Sequence, residues 1–334
     1  MRVNVVVLPS NRPPKRFYRG GRRITDFRGE TPAGEREPED WVASVTTVAG
    51  EPSVGRSTLP DGRLLAEALA ADPVGWLGQA HVERWGADPL LLVKLLDAGQ
   101  RLPVHAHPAG DFAHRHLGRA HGKAEAWYIL QGGEVQLGLI RSVGVIELFG
   151  LVEQRDADRM LGLLHRVTVS PGDVVYVPPG VLHAIGEGVL LVEVQEPEDL
   201  SILVEWAGFE LDGPRDGHLG VGYPLALEAV ERRARSLEEI ARLARPAGAG
   251  ASVLPAEADR YFRLERAVID GAVELEPGFA VLVVTDGALT LETAAGELDL
   301  PRGTTAVAPH SAGPLRVSGH GDLLACRPPL ARGA

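Results

Sequence analysis

Short apolar runs, alternating or continuous, recur along this chain at roughly ten-residue intervals, and tight turns separate them. The clearest fall at Leu90 to Leu95, Leu102 to Ala106, Ala124 to Leu130, Val135 to Ile140, Arg166 to Val169, Val174 to Val177, Val189 to Val194 and Ser201 to Trp206. Gly-Gly, Pro-Gly-Asp and Pro-Pro-Gly punctuate them, so the pattern predicts a mainly β protein of sandwich or jelly-roll type. Helical periodicity is confined to Leu64 to Leu77, roughly Val145 to Leu164, and Glu228 to Leu243, where Leu237, Ile240, Ala241 and Ala244 share one face. Arg245 to Ser252, RPAGAGAS, is a small-residue stretch of the kind that links domains. The expected division is a 1–245 domain, with helical insertions at about 56–85, 145–164 and 224–245, and a smaller β domain at 246–334. In the second domain Thr285-Asp286-Gly287 predicts a hairpin turn between two strands.

Composition supports this organisation and narrows the partners. The 334 residues are 45% hydrophobic, enough for sizeable cores, and glycine (40) with proline (25) suits many strands joined by tight turns. Thirty-four Lys and Arg against 45 Asp and Glu leave a formal charge of −11, a field that repels nucleic acid and anionic lipid. Cys326 is the one cysteine, so no internal disulfide forms, and the apolar run Val3 to Leu8 is too short for a signal segment or a membrane span. A soluble, cytoplasmic protein with a small-molecule partner is the expectation.

The chemistry is concentrated in three stretches. Gly99 to His107 ends a predicted strand with His105 and His107 two residues apart, and the period of two puts both imidazoles on one face. In GKAEAWYIL, Glu125 shares a face with Trp127 and Ile129 and points inward, six residues before Gly132. Gly172 to His183 supplies a third histidine directly after a Pro-Gly turn. Three imidazoles and a carboxylate form a donor set for a borderline divalent cation: Zn, Mn, Fe, Co or Ni. Pro108 to Ala124 then forms an excursion between the second histidine and Glu125, in which His114, His116 and His121 read as surface residues.

These stretches fit the paired motifs of the cupin superfamily: G-x5-H-x-H, E-x6-G and G-x5-P-x-G-x2-H. The longer strings FRGETPAGEREPEDWVAS, WGADPLLLVKLLDAGQRLPVHAHP, GKAEAWYIL and VSPGDVVYVPPGVLHAIGEGVLLVEVQEPEDLSILVEW resemble class I mannose-6-phosphate isomerases in their shorter bacterial form, across most of residues 15 to 210. The closing stretch from Leu300 is similar to that family's metal-free cupin. The resemblance implies two cupin jelly rolls with a helical insertion, a metal site in the first, and zinc-dependent interconversion of an aldose phosphate and a ketose phosphate.

Carried over residue by residue, it implies a metal held by His107, Glu125 and His183, with His105 where the family has Gln. It places Lys94 and Lys123 in the active pocket and makes Glu193 and Asp199 candidate acids or bases, as a proton transfer between C1 and C2 requires. Two departures stand out. The family's phosphate-contacting serine is Pro103 here, and its active-site arginine falls in Ser201-Ile202-Leu203-Val204, with Arg101, Arg115 and Arg119 the candidates to replace it. Two further functions therefore stay open beside the isomerase: a non-catalytic or regulatory sugar-binding cupin, and a redox cupin such as a dioxygenase, which a three-His one-Glu set permits.

Overall fold

A computed structural model describes residues 4–250, 252–293 and 296–331. Val3, Ala251 of the expected linker, and residues 294–295 of the later β segment lie outside that set. Among the described residues the strands form three antiparallel sheets. The first runs Ala244–Pro246, Asp173–Val177, Glu125–Gln131, Leu190–Gln195, Leu92–Asp97, Glu39–Val42. The second runs Ile202–Leu203, His105–Ala106, His183–Ile185, Gly133–Leu139, Leu164–Val169. One core joins them, with Trp127, Val177 and Val192 of the first sheet clustered with Val135, Leu137 and Ile185 of the second.

The third sheet joins the strands after residue 262 to Val6–Val7, which pairs with Thr305–Ala308. Strand alternation lets this sheet serve two cores at once. Val281 and Val283 of Ala280–Thr293 belong to the core shared with the first sheet, whereas Ala280, Leu282 and Val284 face a separate core with Leu300, Val317 and Leu323. We propose residue 245 as the boundary between two units, with the N-terminal strand crossing it.

Several local expectations change form. The stretch Leu64 to Leu77 is two short helices, Leu65–Ala71 and Pro73–Leu77, because Asp72 caps the second and Pro73 removes an N–H that the first would need. Val145 to Leu164 divides at Arg155, which adopts a left-handed φ of 55°. Only Leu237–Leu243 of the third stretch is the α-helix expected there; it begins where Ser236 and Glu239 form a reciprocal capping box. Thr285-Asp286-Gly287 is a bulge within one long strand and not a turn: the pairing to Leu315–Arg327 shifts register between Val284 and Asp286, and Gly287 takes φ 76°. A Cβ on Gly287 would fall 2.0 Å from the His320 carbonyl oxygen. The predicted linker is also tethered, since Arg245 and Pro246 pair with Val174 and Asp173 and Ala247 N–H bonds the Gly172 carbonyl.

No helix among the described residues is long and apolar enough to cross a membrane. Cys326 lies wholly buried in the shared core, and burial pushes its thiol up to about 12. A thiol reagent such as dithionitrobenzoate is therefore expected to leave native protein unlabelled at pH 8 and to titrate one thiol per chain in guanidinium; prompt labelling of native protein would contradict this packing.

Candidate active site

The short strand His105–Ala106 lies beside His183–Ile185 with His105 and His183 as direct register partners. His107, one residue beyond Ala106, returns to the face of His105. The Pro178-Pro179-Gly180 turn that precedes His183 is fastened to it, because Gly180 N–H donates to the His107 carbonyl at 2.7 Å. Gly180 has φ 86° and no space for a side chain, since a Cβ would meet the Ala229 carbonyl at 2.9 Å. The three imidazoles thus come together, with one ring nitrogen of each within 4.8 Å of the others.

Each ring is also fixed in tautomer. Nδ1 of His105 lies 2.8 Å from the Pro103 carbonyl, that of His107 2.6 Å from the Leu200 carbonyl, and that of His183 2.8 Å from the Val181 carbonyl. A carbonyl only accepts, so every Nδ1 carries the proton and every Nε2 keeps its lone pair for the centre. Burial, followed by the neighbouring charges of Lys123 and the other rings, pushes His107 down to about 3 and His105 well below its ordinary value, which leaves both neutral.

Glu125 opens the strand Glu125–Gln131 and closes this ring of donors. Its Oε2 is 2.9 Å from His107 Nε2 and 3.0 Å from Lys123 Nζ; its Oε1 is 3.2 Å from His183 Nε2 and accepts from Trp127 Nε1 at 3.1 Å. Burial alone would raise its pKa, but the Lys123 ammonium and His107 hold it well below the usual carboxylate range. His107 Nε2, His183 Nε2 and Glu125 Oε2 are all buried without a hydrogen-bond partner. Deprotonated nitrogens facing an ionised carboxylate repel one another unless a cation sits between them. The donor set therefore fits a metal ion, and the site is a metal-binding one.

A second buried cluster adjoins it. Lys94 of Leu92–Asp97 has Glu193 as register partner on one side and Trp41 on the other. Its Nζ lies 3.2 Å from Glu193 Oε1 and 3.6 Å from Glu39 Oε2, over the Trp41 ring. Glu39 accepts from Tyr18 Oη at 2.7 Å, Trp41 Nε1 at 2.6 Å and Arg16 Nε at 3.1 Å. Arg16 also donates to both Asp199 oxygens at 3.4 Å. Against the effect of burial, Arg16 and Lys94 keep Glu39 and Asp199 ionised, both well below the usual range. Glu193 goes the other way, because burial outweighs the pull of Lys94 and raises it.

A cavity of about 350 Å³ connects the two clusters; its lining includes His105, Lys123 and Glu125 from one, and Arg16, Lys94, Glu193 and Asp199 from the other. All eight residues expected from the sequence lie in these two neighbouring clusters. Arg16, Tyr18 and Glu39 were not expected. The one signal for them was EPEDWVAS, where an acid and a tryptophan alternate on one strand face, with no indication of what they meet. The suggested arginine substitutes do not serve: Arg101 is bound to Glu205, Arg115 to Asp111 and Arg119 to Glu198, and none lines the cavity. Arg16 is the guanidinium that does so from inside. His114 and His116 are exposed, as expected, but His121 is half-buried with Nε2 2.7 Å from Asp88, which ties the 108–124 excursion to the segment just before Leu92–Asp97.

Comparison with known proteins agrees with the sequence resemblance. The chain is 36% identical over 185 residues to mannose-6-phosphate isomerase ManA of Bacillus subtilis strain 168, covering 54% of this chain and 55% of that protein. It is 30% identical over 197 residues to the mannose-6-phosphate isomerase of Streptococcus mutans, covering 57% of each. These matches span little more than half of the relatives' length. No family model matches the chain. Among solved structures, the mannose 6-phosphate isomerase of Bacillus subtilis superposes over 97% of this chain and all of that one, with a TM-score of 0.74 at 23% identity. The fold is that of the phosphomannose isomerases, mainly β and built on cupin sheets.

Metal-stripped protein is expected to gain thermal stability on addition of zinc, by about 2.7 kcal/mol at one hundred times the dissociation constant. Glu125→Ala and His107→Ala are expected to abolish this increment in calorimetric scans. Asp199 has a lowered folded value, so its stabilisation is complete above the ordinary aspartate value and is lost as pH falls through the folded one. Asp199→Asn is thus expected to cost about 3 kcal/mol at pH 7, with Glu39 still holding Arg16, and the gap to wild type to close below about pH 4 in urea titrations.

Proposed function

We propose that this chain is a metal-dependent aldose–ketose isomerase acting on a sugar phosphate, interconverting mannose 6-phosphate and fructose 6-phosphate. The observation that carries the proposal is the joining, in one cavity, of an inward-facing donor set with a buried carboxyl and two buried ammonium groups. The relatives named above support the substrate class.

His105, His107, His183 and Glu125 would hold the ion, and zinc suits neutral imidazoles with one carboxylate. When bound, the ion supplies Lewis acidity at the sugar oxygens. The protein's own groups do the rest. Lys123, paired with Glu125, orients that carboxylate and places positive charge where an oxyanion develops. Glu193, raised by burial, is suited to carry the proton between C1 and C2, whereas Asp199 is held ionised by Arg16 and serves better as a fixed countercharge. Lys94 keeps Glu193 oriented from its register partner position. Arg16 lines the cavity with a guanidinium where the Ser201 to Val204 stretch has none, and its pairing with Glu39 and Asp199 makes it a fixed positive charge there. A cytoplasmic location fits this substrate class and the single buried cysteine.

Proton NMR in D2O with the zinc-loaded protein tests the proposal directly. Mannose 6-phosphate is expected to convert to fructose 6-phosphate with exchange of the C2 proton. Binding without conversion or exchange would leave a sugar-binding protein, and oxygen uptake by an iron or manganese form would point to redox chemistry. Glu193→Gln is expected to lower kcat by about 10²- to 10⁴-fold with little change in KM, while Glu125→Ala removes turnover with the fold intact by circular dichroism.

A further inference from the structure

The cavity's cations are nearly all neutralised by carboxylates. Arg16 is held by Glu39 and Asp199, Lys94 by Glu193 and Glu39, Lys123 by Glu125, and Arg215 by both oxygens of Asp216. Among the described residues that line the cavity, Lys15 is the one cation with no ion-pair partner. It is exposed, so it stands at the mouth, whereas the metal-binding residues lie buried.

Its backbone is unusual as well. Lys15 takes φ 58°, a left-handed conformation uncommon for a residue with a Cβ, directly after Pro13-Pro14. The flanking segment enforces it: Arg16 N–H bonds the Arg36 carbonyl at 3.0 Å, and the Phe17 carbonyl accepts from Glu210 N–H at 3.0 Å. A strained residue held by its surroundings at the edge of a site points to function.

We infer that Lys15 is the anchor for the terminal phosphate of the substrate, a specificity residue for phosphorylated sugars that takes the place of the hydroxyl Pro103 does not have. The inference rests on the isomerase proposal for its substrate class. A hexose 6-phosphate carries its reacting carbons, C1 and C2, at one end and its dianion on C6 at the other. A cavity with a metal-binding floor and one uncompensated ammonium at its mouth matches that polarity, and lysine binds phosphate as a point charge. Glu51 also lines the cavity without an ion-pair partner, and its charge opposes an anion there.

The test is calorimetric titration of zinc-loaded wild type, Lys15→Ala, Lys15→Arg and Glu51→Gln with mannose 6-phosphate and with mannose, alongside KM and kcat for the phosphorylated sugar. Lys15→Ala is expected to weaken mannose 6-phosphate about tenfold and raise its KM in parallel, with kcat changing far less. Its affinity for mannose is expected to stay within about twofold of wild type. Lys15→Arg is expected to restore most of the phosphate preference, and Glu51→Gln to tighten it. Unchanged mannose 6-phosphate affinity in Lys15→Ala, or equal loss for both sugars, would overturn the inference while leaving isomerase activity standing. Phosphate-dependent binding that needs Lys15 but leads to no turnover would uphold it and sink the isomerase proposal, and no binding by wild type would overturn both.

Discussion

Charge balance among the buried residues that line one cavity is the constraint from which the rest of this structure follows. Lys94, Lys123, Glu39, Glu125 and Glu193 are all buried, and an unpaired charge at such depth costs several kcal/mol (about 3–5 when one partner is removed). Every one of these groups has an opposite charge within 3.6 Å. The sheet makes this possible, since Glu193, Lys94 and Trp41 are consecutive partners across three strands and share one face. The lysine is thus held between a carboxyl and an aromatic ring by backbone register and not by loop conformation.

The metal-binding end solves a different problem with the same means. Imidazoles supply donors without adding charge, so three of them can crowd within 4.8 Å where three carboxylates could not. Backbone carbonyls at Pro103, Val181 and Leu200 choose the tautomer; the first two lie two residues before the rings they hold, and the third just before Ile202–Leu203, the strand paired with His105–Ala106. His105 therefore owes its orientation to the main-chain carbonyl two residues before it, at Pro103.

Much of this was legible in the sequence because it is local or periodic. The His105-Ala-His107 spacing, the Gly180 turn before His183 and the alternation Glu125, Trp127, Ile129 each encode a direction, and in the structure those side chains converge. The remainder depends on long-range partners. Arg16 meets Asp199 across a separation of 183 residues, and no periodicity in a proline-rich N-terminal segment reveals that its guanidinium enters a cavity. Thr285-Asp286-Gly287 illustrates the same limit on a smaller scale. Its composition suits a turn or a bulge, and only the close approach of the His320 carbonyl decides between them. The helical stretches fall where their periodicity puts them but are divided at Pro73 and Arg155, whose local effect on continuity outweighs the apolar pattern on either side.

The pairing of Val6–Val7 with Thr305–Ala308 also sets an order of events during synthesis. Leu8 N–H bonds the Thr305 carbonyl, and the two residues are 297 positions apart. At roughly 5–20 residues per second, the ribosome takes on the order of 15–60 s to make the strand that clamps the N-terminal segment. Until then Arg16 has its carboxylate partners within reach but no clamp on the chain before it. The segments that carry the three histidines and Glu125 lie between residues 105 and 185, so the nascent protein has its whole donor set before the N-terminal wall of the cavity is secured.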